Sequence, residues 1–204
     1  RDAFNGCGNM IYSATDAPDL STAATVQAAL FREMFSGCNA ITYMDLTNWT
    51  NTEKAGSFGL YRMFEQTRNI EYLDISNWAL DEASDCYQIF RGIGKTTANG
   101  CVFKAANLNW PKNDIFREMF TGAFFNSLDI SNWTLKVTVA PVTLSNGVDG
   151  VSFFRECLFN SNTTIDLSTW SNTSSFYNLS GFFRGVQNVA IPNKIEQVNL
   201  TGWD

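Results

Sequence analysis

Two short patterns of apolar and polar positions recur in fixed order along the chain. The first closes on tryptophan: Asp45-Leu-Thr-Asn-Trp49, Asp74-Ile-Ser-Asn-Trp78, Asn107-Leu-Asn-Trp110, Asp129-Ile-Ser-Asn-Trp133, Asp166-Leu-Ser-Thr-Trp170 and Asn199-Leu-Thr-Gly-Trp203. All 6 tryptophans of the chain sit at the end of such a block. Apolar residues alternate with polar ones as each block is entered, as in Tyr72-Leu-Asp-Ile-Ser76. A period of two predicts a strand with one buried face.

The second pattern precedes the first. It reads Phe31-Arg-Glu-Met-Phe35, Tyr61-Arg-Met-Phe64, Tyr87-Gln-Ile-Phe90, Phe116-Arg-Glu-Met-Phe120, Phe154-Arg-Glu-Cys-Leu158 and Leu179-Ser-Gly-Phe-Phe183. Apolar positions at i, i+3 and i+4 predict one turn of helix with a buried stripe. The opening Phe4-Asn-Gly-Cys7 has the form of the tail of a further copy.

One strand and one helical turn cannot hide their own apolar sides, whereas stacked copies can, each strand pairing in parallel with the next at about 4.8 Å. The predicted fold is therefore an α/β repeat, a leucine-rich-repeat solenoid of about seven irregular coils in one domain over residues 1–204. It would carry a parallel β-sheet on one face, short helices on the other, and run roughly 30 Å. Longer segments enter at Asn5–Thr22, Gly92–Asn109 and Gly185–Asn199. Lys136–Gly150 interrupts the repeat with an alternating run and an Asn146-Gly147 turn signal, read as an inserted hairpin-like loop. Insertions in solenoids often line a binding face; a passive surface loop is the plainer alternative. The chain opens in mid-motif and stops just past Trp203 without a polar cap, so flanking domains or neighbouring subunits are expected to cover the ends.

Composition narrows the function. With 45% hydrophobic, 14% aromatic and only 17% charged residues the chain is ordered. A net charge of −6 without a basic stripe excludes nucleic acid and anionic membrane surfaces as partners. Membrane insertion is not expected either, because no apolar run approaches the roughly 18 residues that span a bilayer. Cys7, Cys38, Cys86, Cys101 and Cys157 show no CxxC pair and there is no histidine, so zinc, haem and dithiol sites lack their parts. The cysteines read as small buried hydrophobes.

Nucleophile–histidine catalysis is likewise excluded. Gly92-Ile-Gly-Lys-Thr-Thr97 imitates a phosphate loop, but the position that needs its first glycine is Ile89. No enzyme, cofactor or metal is expected. The repeated acids Asp45, Asp74, Asp129 and Asp166, with Asn107 and Asn199 in the same place, would repel one another across adjacent strands. They are expected to accept neighbouring backbone N–H groups; a calcium site would need several ligands converging on one point. Trp49, Trp78, Trp110, Trp133, Trp170 and Trp203 could form a core ladder or an exposed strip for carbohydrate, and their fixed place favours the ladder. Asn-x-Ser/Thr sequons occur at Asn48, Asn132, Asn162, Asn172, Asn178 and Asn199.

Phe31–Trp49 and Phe116–Trp133 resemble the BspA-like leucine-rich repeats, in which a Met-Phe block and a Gly-Cys turn lead into a Leu-Asp-Leu-Ser-x-Trp strand. Asp2–Cys7 and Val189-Ala-Ile-Pro-Asn193 are similar to a sister variant of that family. The resemblance implies an extracellular protein on a cell or virion surface, engaged in adhesion or recognition of a protein or glycan. The expected function is a non-catalytic recognition module; the alternative is an architectural component of a fibre, capsid or tail.

Overall fold

A computed structural model describes residues 31–47, 59–76, 78, 80, 85–138, 142–143, 147–160, 164–188 and 197–203. The period-two blocks form strands: β1 (Tyr43–Asp45), β2 (Tyr72–Asp74), β3 (Cys101–Lys104), β4 (Asn109–Trp110), β5 (Phe124–Asp129), β6 (Thr134–Leu135), β7 (Val148–Asp149), β8 (Leu158–Phe159), β9 (Thr164–Asp166), β10 (Phe176–Asn178), β11 (Gln187–Asn188) and β12 (Gln197–Asn199). A 6-stranded sheet runs β1-β2-β3-β5-β8-β11, in chain order. Shorter parallel pairs join β4 to β6, β7 to β10 and β9 to β12. Each circuit of the chain lays its strands on those of the circuit before. The molecule is a parallel β-solenoid.

The expected helices do not form. Among the described residues the one helical element is a single 3-10 turn, Thr173–Ser175. The Phe-Arg-Glu-Met-Phe blocks are chains of tight turns instead. The Met34 N–H donates to the Phe31 carbonyl, and Cys38 N–H to Phe35, each spanning three residues. The intervening N–H groups leave the coil: Glu33 donates to Tyr61, Phe35 to Met63 and Gly37 to Glu65, at 2.8–3.0 Å. A helix would spend those donors on itself, leaving none for the next coil. The turns need a left-handed residue at their third position, found at Glu33, Arg62, Gln88, Glu118 and Ser152 with φ of 52–56°. A second such residue follows four positions later, glycine at Gly37, Gly92, Gly122 and Gly185 with φ of 66–69°.

The coil count also changes. The sheet has 6 strands, so the expected seven coils find no support, and the front copy at Phe4–Cys7 lies outside the described residues. The fifth copy is shifted too. Phe120 N–H donates to Phe153 and Phe154 N–H to Phe182, so the turn repeats through Phe154 as its last ring and Phe154–Leu158 is not the block.

This register stacks one phenylalanine per coil. Phe35, Phe64, Phe90, Phe120, Phe154 and Phe183 follow one another with centroids 5.3–5.7 Å apart and planes within 8–14°. Offset stacking of this kind contributes about 0.5–1.5 kcal/mol per pair beyond area burial. Three residues past the ring, the Thr67 hydroxyl donates to the Phe35 carbonyl at 3.0 Å and the Cys157 thiol to that of Phe120 at 2.8 Å. In these two coils a small side chain with a donor ties the turn to the ring residue of the coil before. Cys38, Cys86, Cys101 and Cys157 are buried, and Cys86, Cys101 and Cys157 form no disulfide, while Cys7 lies outside the described residues. Burial pushes the thiols of Cys86, Cys101 and Cys157 up, away from reactive thiolate. Among the described residues no helix is long and apolar enough to cross a membrane.

Candidate functional site

The tryptophans form an interior row. Trp110, Trp133, Trp170 and Trp203 follow one another at centroid distances of 5.1, 5.0 and 5.9 Å. Four indoles also reach back one coil. Trp78, Trp133, Trp170 and Trp203 donate Nε1–H to the carbonyls of Leu46, Ala105, Ile130 and Leu167 at 2.6–3.0 Å. Each accepting residue directly follows the repeat acid or its substitute, so the row is a set of inter-coil latches. Trp110 is fully buried and its Nε1 has no partner among the described residues; this coil has two more residues between β3 and its indole than its neighbours have between strand and indole. Trp49 lies outside the described residues.

The repeat acids bond locally. Asp45, Asp74 and Asp129 each accept, through Oδ1, the N–H and hydroxyl of the Thr or Ser two residues on, at 2.7–3.2 Å. Asp166 accepts the Ser168 N–H at 2.9 Å, and Asn199 treats Thr201 as the acids treat theirs. Bonds from the Ser168 hydroxyl and then its N–H hold the Asp166 carboxyl below the usual range. These are Asx-turns that end each strand. The cross-strand neighbour of Asp74 and Asp129 is Lys104, not Asn107. A cation thus interrupts the acid row, and it lies 5.2 Å from the ring of Tyr72, which stacks on Tyr43 at 4.6 Å. Among the described residues no group of three or more His, Cys, Asp or Glu could hold a metal. The phosphate-loop imitation is also structural: a Cβ at Gly94 would sit 2.5 Å from the Phe124 carbonyl oxygen, so glycine serves close approach to β5.

A third row, which the repeat pattern did not reveal, runs Asp85, Ile115, Asp149 through parallel bridges. Asp85 and Asp149 accept the N–H groups of Tyr87 and Val151 at 2.8 and 3.0 Å. Around this row lies a groove of about 450 Å³ lined by Asp85, Tyr87, Asp114, Ile115, Arg117, Asp149 and Tyr177. Arg117 Nη2 is 3.1 Å from Asp149 Oδ2, and Lys136 pairs with Asp114. Tyr61 stacks on Tyr87 at 5.4 Å. The inserted segment adjoins this groove. Besides the Lys136 contact, a Cβ at Gly147 would sit 2.9 Å from Tyr177 Cδ1, and Val148–Asp149 rejoin the solenoid as β7. Val137 is 75% exposed, and the hairpin expected between these anchors lies largely outside the described residues.

Asp85 is 6% exposed, and burial pushes its carboxyl up against the opposing Tyr87 N–H bond and the charge of Arg32. A carboxyl with a raised folded-state pKa costs stability when ionised and gives it back as the pH falls and the folded state takes up the proton. Asp85→Asn keeps an acceptor for Tyr87 and removes the charge. Urea unfolding should find it at least as stable as the natural protein at pH 7, with the difference closing by about pH 4. A clear loss of stability at pH 7 would show that the charge is compensated.

No curated protein and no solved structure matches the chain. A family model described as "Mycoplasma protein of unknown function, DUF285" matches residues 4–133, the Trp49, Trp78, Trp110 and Trp133 blocks among them. That match spans more than half of the sequence, and the chain is a member of the DUF285 family.

Proposed function

We propose that the protein is a non-catalytic recognition module of the BspA-like kind, displayed outside the cell or on a virion, that binds a surface protein or glycan through the side of the solenoid bearing the insert. The observation that carries this reading is the meeting of the Lys136–Gly150 segment with the Tyr87–Tyr177 groove. Tyrosine, arginine and carboxylate side chains converge there, although the stack's cohesion comes from the Phe and Trp rows. Aromatic and arginine groups of this sort dominate recognition surfaces.

Replacing residues 139–146 with a short Gly-Ser turn keeps β7 and the Lys136–Asp114 pair in place. The replaced protein should fold normally yet lose saturable binding to epithelial-cell surfaces, read by flow cytometry. Undiminished binding would remove the insert from the interface.

One observation favours an architectural role. Leu179 and Leu200, beside β10 and β12, are 43% and 39% exposed on the last described coil. Apolar groups exposed on a coil suit contact with a neighbouring subunit in an assembly. Light scattering should then find concentration-dependent oligomers that Leu179→Glu disperses, and a monomer at all concentrations would count against this role.

A further inference from the structure

We propose that the groove between Tyr87 and Tyr177 is a subsite for one neutral sugar unit of an oligosaccharide, with the rings as apolar walls and Asp85, Asp149 and Arg117 as hydrogen-bonding partners. This rests on the recognition reading above and names the ligand class it would serve.

Charge favours a neutral ligand. Asp149 is paired with Arg117 at 3.1 Å and Asp114 with Lys136, so the ions largely cancel. Among the described residues Asp85 alone of the groove's carboxylates has no ion pair. A sulfate or phosphate would meet one arginine already engaged, among three carboxylates. A lysine-rich peptide would find one uncompensated acid. A sugar carries no charge, and its hydroxyls both donate and accept, which matches fixed carboxylates and a guanidinium held side by side.

The fold does not require a charge on Asp85, because Asn178 in the same row makes the same turn bond without one. Ile115 takes the equivalent place in the same bridge row, directly between Asp85 and Asp149. A side chain serving packing alone could be apolar there. Asp85 instead keeps a carboxylate that is 6% exposed, that forms no ion pair among the described residues, and that borders the groove. Its burial cost makes sense if a ligand supplies donors to it.

Rigidity and size agree. Tyr87 is held by the Tyr61 stack with the Arg62 guanidinium 5.5 Å from its ring, and Tyr177 packs closely against the backbone at Gly147. Preset side chains lose little freedom on binding. The groove, about 450 Å³, falls in the range of small-ligand sites.

The test uses the whole chain on an array of neutral cello-, chito-, manno-, galacto- and xylo-oligosaccharides, with sialylated and sulfated glycans alongside. Saturable binding to at least one neutral oligosaccharide is expected. Tyr177→Ala and the near-isosteric Asp85→Asn should each weaken it about tenfold, the effect of losing one good contact. Tyr43→Ala, on the main sheet, should leave it unchanged. Thermal melts of each variant separate lost binding from lost folding. Failure of every neutral oligosaccharide, binding only to the charged glycans, or full affinity in folded Asp85→Asn and Tyr177→Ala would each overturn the proposal. Binding to epithelial-cell surfaces that survives periodate oxidation of their glycans but not protease treatment would sink the sugar assignment and leave the recognition reading standing. Absence of any surface binding would sink that reading instead.

Discussion

Trp133→Ala should lower the unfolding free energy by about 3–5 kcal/mol, the cost of emptying a core indole site. Trp133 is fully buried and stands 5.1 Å from Trp110 and 5.0 Å from Trp170, so its loss opens a gap shared by three coils. It also orphans the Ala105 carbonyl, which the indole reaches at 2.6 Å. Trp133→Phe keeps a ring in the row but drops that bond, at a cost of about 1 kcal/mol, to which the space left around the smaller ring adds. Urea midpoints for the two variants, beside the exposed control Val137→Ser, check the ordering. Equal midpoints for Trp133→Ala and the control would mean the row does not hold the coils together.

The second large effect is expected at Gly100. Its φ is +85°, and a Cβ there would lie 2.6 Å from the Phe125 carbonyl carbon and 2.7 Å from the Asn126 nitrogen. Both are backbone atoms of β5, so the strand itself must move. Gly100→Ala therefore combines left-handed strain with a clash that no rotamer relieves, and a loss above about 3 kcal/mol is expected. Gly122 separates the two causes. Its φ is +66° but nothing lies within 4 Å of the added carbon. Gly122→Ala should cost only the conformational penalty, about 1–2 kcal/mol. If the two variants unfold at the same denaturant concentration, β5 does not crowd Gly100 as these distances require.

Much of this architecture is written in local pattern. The alternation in Tyr72-Leu-Asp gives β2, and stacking follows because one strand cannot bury its own apolar side. The turns are harder to read. Apolar residues at i, i+3 and i+4 over a single turn also fit two consecutive tight turns, and so short a stretch cannot distinguish them. The better signal is the glycine two residues after Phe35, Phe90, Phe120 and Phe183, where the backbone needs positive φ.

Lys104 escapes the pattern because Trp110 is two residues further from its strand than the other indoles; counting four back from it gives Ala106, and the shorter Asn107-Leu-Asn-Trp110 motif puts Asn107 in the acid's place. The groove lies beyond sequence reading for a different reason. Asp85, Asp114, Asp149 and Tyr177 come from separate coils, and only the fold makes them neighbours. A faint trace exists: Asp85, Asp149 and Asn178 each accept the N–H two residues on, as the acids before the tryptophans do.

The backward reach of the indoles gives the stack a polarity. A coil detached on the C-terminal side takes its own indole away, and the bonded N–H groups that remain keep their acceptors. Peeling from the other side removes the coil that each indole leans on, and strips the acceptor from the tryptophan that stays. The two directions of unravelling are therefore chemically distinct: loss of a coil on the C-terminal side leaves a carbonyl without its indole, and loss on the N-terminal side leaves an indole without its carbonyl.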